Sequence, residues 1–361
     1  MAFGFGIIGT GMIAEFHARA IADIADAKLV GCYNRTPEKA AEFAAKHGIT
    51  AYENLDEMLA NPDIHVITIG TASGAHMEPC VAAAKAGKHV IVEKPLDVTL
   101  ARCDAMIDVC RENNVKLATI FPSRFHGPAT EMKKAIEEGR FGTLSLGDAY
   151  VKWFRTQEYY DSGAWRGTWQ LDGGGALMNQ AIHSVDLLCW LMGDVASITA
   201  NCSLIGHERI EVEDVAVASL KFKNGALGTI EASTAVYPGY LKRIELHGTK
   251  GTAVMEEEDI KTWDFAEPTD EDEAIKARLA GKTETGGGAA DPKAIGHHGH
   301  RAQFEDLLAA VKEDREPAIN GLEGRRSVEV ILAIYQAAAT GQRVDFPLQK
   351  DPDLKGWTPG K

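Results

Sequence analysis

Residues 4–20 read GFGIIGTGMIAEFHARA: an apolar run, a turn at Gly9-Thr10-Gly11-Met12-Ile13-Ala14, then a stretch free of Gly and Pro. A strand that enters a glycine turn and leaves as a helix is the opening of a dinucleotide-binding sheet. The first glycine permits the tight turn and the second lets backbone approach a pyrophosphate. The small Ala14 lets the helix pack closely on the strand. Backbone N–H groups at the helix start then receive the phosphates. Gly9, Thr10, Gly11, Met12 and Ile13 are therefore expected to contact a bound dinucleotide.

Outward from this turn, from Phe3 to about Pro122, short strand-like runs alternate with Ala-rich helical ones. FGFGIIG, KLVGCYN, GITAYE, HVITIGT, KHVIVEK and KLATIFPS are the strands; Pro37 to His47, Ala75 to Ala86 and Val98 to Asn113 are helices between them. Such alternation builds an α/β domain, a doubly wound parallel sheet with helices on both faces, here residues 1–122.

After Ser123 the pattern changes. A helix from about Pro128 to Glu138 leads into LSLGDAYVKWF, and a Gly-led helix runs from Gly174 to Met192. The runs SITANCSLI, VEDVAVASLKF, GALGTIEASTA, LKRIELHG and GTAVMEE follow, with a hairpin signal at Asn224-Gly225. Residues 123–361 are expected to form an α+β domain with a large, mostly antiparallel sheet and helices on one face. The stretch from Glu256 to Gly299, charged and then Gly-rich, is expected to be a long mobile loop before helices His300 to Lys312 and Glu323 to Gln336.

Two domains also suit the length, 361 residues against roughly 150 per domain. With 45% apolar and 25% charged residues the composition is that of a globular protein. Acidic residues exceed basic ones by 52 to 38, a net charge of −14, with no Lys/Arg-dense stripe, so nucleic acid is not an expected partner. Ten Asp/Glu against one Lys between Glu256 and Glu273 hold −9 of that charge. The six cysteines are scattered without a Cys-x-x-Cys pair and read as buried thiols. No signal peptide and no apolar run of membrane-spanning length is seen, so a cytoplasmic protein is expected.

The second strand ends in Cys32-Tyr33-Asn34-Arg35-Thr36, where an NAD site usually places a carboxylate on the ribose diol. Asn34 spares a 2′-phosphate that repulsion and Arg35 can pair with it, which favours NADP over NAD. Arg35 can equally stack on adenine in an NAD enzyme or be a solvated turn residue.

Glu93-Lys94-Pro95 follows an interior strand at the sheet's carboxyl edge, where ligands of open α/β sheets lie. There a desolvated Lys94 donates a hydrogen bond to a substrate hydroxyl, lowers its pKa and relays a proton; the bland alternative is a surface lysine at a strand end. On the second domain's helix, Asn179, His183 and Asp186 stand at i, i+4 and i+7, one polar face behind three glycines that let the chain approach a ligand. His183 titrates near neutrality and is the natural proton carrier. Upstream, Arg166 can grip a carboxylate, a phosphate or hydroxyls, and Trp165 can form an apolar wall. Arg124 is either a substrate contact or an interdomain ion pair. His297-His298-Gly299-His300 lacks carboxylate or thiol companions at ligand spacing, so no metal is expected; His300 is taken to touch substrate.

Together GTGMIA, Glu93-Lys94-Pro95, Trp165-Arg166, Gly173-Gly174-Gly175 and His183-Ser184-Val185-Asp186 resemble the glucose–fructose oxidoreductase and inositol dehydrogenase (Gfo/Idh/MocA) family over nearly the whole chain. The resemblance implies a Rossmann domain followed by an open-sheet domain, with nicotinamide and substrate in the cleft between them and pairing through the sheet face. It makes Lys94 the motif lysine and His183 the acid/base histidine. Asn179 stands where many members have Asp; Asn orients a hydroxyl but cannot take its proton. Ala72 and Ser73 replace the family's usual Pro and Asn after Thr71.

The expected protein is thus an NAD(P)-dependent oxidoreductase moving a hydride between nicotinamide and a secondary alcohol or ketone of a sugar, cyclitol or sugar derivative. Lys94, His183 and Asn179 are its catalytic set. Thr71, His76, Glu93, Lys94, Asn34 and Arg35 join the cofactor contacts; Arg124, Trp165, Arg166 and His300 shape specificity, with Asn179 and His183 also touching substrate. A homodimer or homotetramer through the second sheet is expected. The alternatives are an NAD-retaining glycosidase or lyase using transient oxidation, and a non-catalytic sugar or dinucleotide sensor on the same fold.

Overall fold

A computed structural model describes residues 2–281 and 296–360; the Gly-rich part of the expected mobile loop, 282–295, lies outside the described residues. The chain divides into two compact units, Met1–Pro122 with Gly296–Val328, and Ser123–Ile295 with Glu329–Lys361.

The first unit carries strands β1 (Phe3–Ile8), β2 (Ala27–Tyr33), β3 (Thr50–Tyr52), β4 (Val66–Ile69), β5 (His89–Val92) and β6 (Leu117–Thr119). All pair in parallel, in the order β3-β2-β1-β4-β5-β6. The order reverses between β1 and β4, the switch point where such sheets bind ligands. Covered on both faces, β4 is buried at all four positions, so it reads as an unbroken apolar run rather than an alternating one. The helix Met12–Ala22 buries Ala14, Ala18 and Ile21 against the sheet, and the helix Pro37–His47 begins on Pro and closes at Gly48 in the left-handed conformation.

The sequence division at 122 and 123 needs one correction. Helix His298–Glu313 belongs with the first unit, because Phe304, Leu307 and Leu308 pack on Phe5, Ile21, Val66, Ile91 and Ile120. Fully burying each such side chain contributes about 1.5–3 kcal/mol. Local pattern identifies the helix; which sheet its apolar face returns to is a long-range fact that periodicity does not carry.

The second unit carries β7 (Leu144–Lys152), β8 (Val195–Ser203), β9 (Val215–Phe222), β10 (Leu227–Ser233), β11 (Arg243–Gly248), β12 (Gly251–Glu256), β13 (Asp259–Phe265) and β14 (Val344–Asp345). They form one sheet in the order β13-β12-β11-β7-β10-β9-β8-β14, antiparallel except for the β7/β10 pair. Along β9 the even-numbered side chains are buried, the alternation of a sheet with one covered face. Gly225, at φ +95°, makes the expected turn into β10.

The region expected to be a loop is partly structured. Residues 259–265 form β13, and Asp270–Leu279 is a helix opened by a capping box of Thr269 and Asp272. Asp272 also accepts hydrogen bonds from both ends of the Arg140 guanidinium and from the Trp263 indole. Part of the acidity that suggested solvent is thus spent inside the unit, on a cap and an ion pair. All six cysteines are free and buried. Among the described residues no helix is long and apolar enough to cross a membrane.

Candidate active site

The glycine turn after β1 is built to leave space. Gly9 sits at φ +89°, and a Cβ there would stand 2.7 Å from the Gly70 carbonyl oxygen. Only glycine suits both the dihedral and the contact. Gly11 differs: its backbone is extended, at φ −80° and ψ −168°, and a Cβ would meet nothing within 4 Å. The helix it opens has no side-chain cap, and Met12 at its first position is 46% exposed. An uncapped helix N-terminus facing open space suits the pyrophosphate of a dinucleotide.

Asn34 supports this turn. Its amide donates to the Thr10 hydroxyl at 2.8 Å and its carbonyl accepts from the Thr36 backbone at 2.9 Å, tying the end of β2 to the glycine loop. Arg35 beside it is exposed. His76, expected to contact the cofactor, is buried, with Nδ1 2.9 Å from the Pro95 carbonyl and Nε2 3.3 Å from that of Thr71. Its imidazole braces two loops. The Thr71 hydroxyl likewise donates to the Ala75 carbonyl. Asp97, which the sequence did not single out, is buried under the same turn and accepts from Met77 and Val98 N–H and from Arg102.

Lys94 is half-buried, and a cis peptide joins it to Pro95. Beneath it, Glu93 accepts from the Lys94 N–H at 3.1 Å and lies 2.8 Å from His17 Nε2. Burial alone would raise Glu93; hydrogen bonds from His17 and His300 hold it well below the ordinary carboxylate range instead. Burial lowers His17, and a neutral ring has one donor and one acceptor. Nε2–H therefore donates to Glu93 while Nδ1 accepts from the Thr68 hydroxyl at 2.8 Å. His300, expected to touch substrate, is buried at 3.5 Å from Glu93, whose carboxylate lies between these imidazoles and the Lys94 N–H. The histidine tract does not converge, since His297 pairs with Asp23.

In the second unit the expected α-helix from Gly174 starts as a π-helical segment, Ala176–Ala181, and turns α-helical only at Ile182–Met192. Asn179 lies on the π segment and His183 on the first α turn, both half-buried. The even spacing read from the sequence assumes 3.6 residues per turn, which the wider π turn breaks. Asp186 leaves the expected polar face altogether: it is buried against Arg124, with Nε–Oδ2 at 2.8 Å and Nη2–Oδ1 at 2.6 Å. Arg124 is thus an ion-pair partner of a residue in its own unit. The glycines also serve another purpose than expected. A Cβ on Gly174 would stand 2.0 Å from the Tyr335 hydroxyl and one on Gly175 1.8 Å from the Glu213 carbonyl oxygen. They admit protein, not ligand.

Asn179 heads a chain of polar contacts. Its amide donates to buried Asp172, and its carbonyl accepts from Gln180 at 2.8 Å. Gln180 donates also to the Tyr159 hydroxyl at 2.9 Å and accepts from Arg155 at 3.0 Å. Arg166 reaches the same hydroxyl at 2.6 Å and stacks over the rings of Tyr159 and Trp165. The sequence reading found Trp165, Arg166 and Asn179 but missed Tyr159, Gln180, Asp172 and Arg155. Spacing gives no sign that these partners meet; the aromatic and amide density of 153–180 is the only hint.

Two family models cover most of this chain, an NAD-binding Rossmann-fold oxidoreductase model over residues 3–121 and the GFO/IDH/MocA C-terminal domain over 129–254. The chain belongs to the Gfo/Idh/MocA oxidoreductase family. Among its relatives, the myo-inositol 2-dehydrogenase of Thermotoga maritima is 32% identical over 255 residues, 68% of this chain and 73% of that one. The levoglucosan dehydrogenase of Pseudarthrobacter phenanthrenivorans is 31% identical over 69% and 72% of the two chains. Among solved structures, the WlbA dehydrogenase of Bordetella pertussis, in complex with NADH and UDP-GlcNAcA, superposes with a TM-score of 0.87 at 35% identity over 96% of this chain and 98% of that one. Membership accounts for the glycine turn and the doubly wound sheet, and the fit of a dinucleotide to the open helix start at Gly11 agrees with it.

Proposed function

We propose that this Gfo/Idh/MocA member is an NAD(H)-dependent oxidoreductase acting on a secondary alcohol of a nucleotide-linked sugar. The observation that carries it is likeness along nearly the full length to a dehydrogenase holding NADH and a UDP-sugar, at 35% identity and a TM-score of 0.87, against 27% and 0.82 for levoglucosan dehydrogenase over the same 96% of the chain. The NADH held by that dehydrogenase and by levoglucosan dehydrogenase supports NAD, with the exposed Arg35 serving adenine by stacking rather than a 2′-phosphate by pairing.

When bound, the nicotinamide accepts or gives back the hydride. The chain's own residues handle the proton and the geometry. Lys94 donates a hydrogen bond to the reacting oxygen and favours its alkoxide-like form. His183 takes the proton. Asn179, held by Asp172 and Gln180, orients the hydroxyl without exchanging a proton. Arg166 and Trp165 line the sugar side, and copies assemble through the sheet face that exposes Leu146, Val217 and Leu227.

The test is a panel of UDP-linked N-acetylated sugars, free sugars and cyclitols, each offered with NAD and with NADP while reduced-nicotinamide absorbance is followed. Turnover with nucleotide sugars and NAD is expected, and the Arg35→Ala variant should weaken NAD binding several-fold. Turnover confined to cyclitols would move the substrate class, and NADP preference abolished by Arg35→Ala would restore the phosphate-pairing role.

A further inference from the structure

We infer that Glu213 is a positioning residue for Asn179 and His183: its carboxylate caps the π-helical segment that carries Asn179 and leads into His183. The inference rests on the roles proposed above for those two residues. Glu213 is fully buried. One carboxylate oxygen accepts from the Gly175 N–H at 3.0 Å; the other accepts from the Leu177 N–H at 2.8 Å and from the Tyr335 hydroxyl at 3.1 Å. Its backbone carbonyl accepts from Ala176 at 3.1 Å. The segment has no cap from its own N-cap residue, Gly175. Its opening N–H groups are satisfied instead from a residue 38 positions away. Gly174 and Gly175 are the counterpart of this clamp, since a Cβ on either would push it off.

Three donors converging on one carboxyl need an acceptor-only group, which the ionised form is and the protonated form is not. Burial pushes this carboxyl up to about 7, against the lowering pull of the Leu177, Gly175 and Tyr335 hydrogen bonds. The titratable groups around it are Tyr335, Cys202, Tyr160 and Asp172. Burial raises Tyr335, Cys202 and Tyr160, so none of these ionises in the neutral range. On protonation, Glu213 gives up an acceptor position, the π segment loosens, and turnover falls on the acid side while dinucleotide binding, which the glycine turn of the other unit provides, does not.

The experiment compares the full-length protein with Glu213→Gln and Tyr335→Phe, measuring kcat and KM from pH 5.5 to 9, NADH affinity, and amide hydrogen exchange of residues 176–181 without substrate. Glu213→Gln, which sets an NH2 against the Gly175 N–H, is expected to lower kcat at least tenfold, leave NADH affinity as it was, and speed exchange at Ala176 to Ala181 at least tenfold. Tyr335→Phe keeps both backbone bonds and removes a stabiliser of the anion, so it should move the acid limb of the kcat profile to higher pH. An unchanged kcat with unchanged exchange in Glu213→Gln, or an acid limb that stays in place in Tyr335→Phe, would overturn the inference. Should no sugar turn over in the unaltered protein, the proposed function fails, and exchange in the two variants still decides whether the clamp exists.

Discussion

Gly9 and Gly11 stand two residues apart in one turn, and the structure assigns them opposite costs. Replacing Gly9 by Ala forces a side chain to φ +89° and sets its Cβ 2.7 Å from the Gly70 carbonyl oxygen. The dihedral alone costs on the order of 1–3 kcal/mol, and the contact adds to it. Gly11→Ser meets neither penalty, because φ is −80° and no atom lies within 4 Å of the new Cβ. Serine is moreover a good N-cap, and the helix lacks a side-chain cap, so stability should hold or rise by up to about 1 kcal/mol. That same hydroxyl takes up the N–H groups and the space meant for the pyrophosphate. Losing about two charge-assisted hydrogen bonds, each worth about 1.5–3 kcal/mol, predicts an NADH affinity at least ~100-fold weaker. Urea unfolding and NADH fluorescence titration on both variants check this. A Gly11→Ser protein that binds NADH as tightly as the unaltered one would refute the phosphate site.

Asp186→Ala removes the carboxylate that pairs with the buried Arg124 guanidinium and should cost about 3–5 kcal/mol, seen as a fall in Tm of roughly 10 °C. A loss under ~1 kcal/mol would mean that water reaches the arginine. Glu213 makes a second stability prediction: its folded-state pKa of about 7 lies above the ordinary 4.5. The unfolded chain therefore releases this proton first as pH rises, so stability is full below pH 4.5, falls through the window to pH 7, and is level above it. The drop is about 3 kcal/mol, taken as roughly 1.36 kcal/mol per unit, and Glu213→Gln should lack it in unfolding curves at pH 4.5 and 8.

Much of the first unit was legible because its signals are local. Gly9 through Ala14 fix the βα turn, and the short apolar runs lie where the parallel strands form. The helix carrying Phe304 was legible as a helix but not as a member of that unit, since its partners, from Phe5 to Ile120, lie far upstream in the chain. Lys94, Asn179 and His183 are named from motif and spacing, while several other charged groups singled out with them turn out to have protein partners that spacing does not reveal. Arg124 and Asp186 neutralise one another, His300 and His17 hold Glu93, and His76 is bound to backbone. A polar side chain on an apolar helix signals that something satisfies it; the sequence does not say whether that is substrate or protein. The π segment was invisible for a related reason: what stabilises it is Glu213, a carboxylate outside the segment.

The central claim is that Lys94 and His183 carry the proton chemistry of an NAD-dependent oxidation. Turnover of a nucleotide sugar by Lys94→Met and by His183→Ala, measured beside NADH affinity, tests it most directly. Each variant should still bind NADH, His183→Ala with unaltered affinity, and lose roughly 10²–10⁴ in kcat. Variants that turn over at the unaltered rate would contradict it.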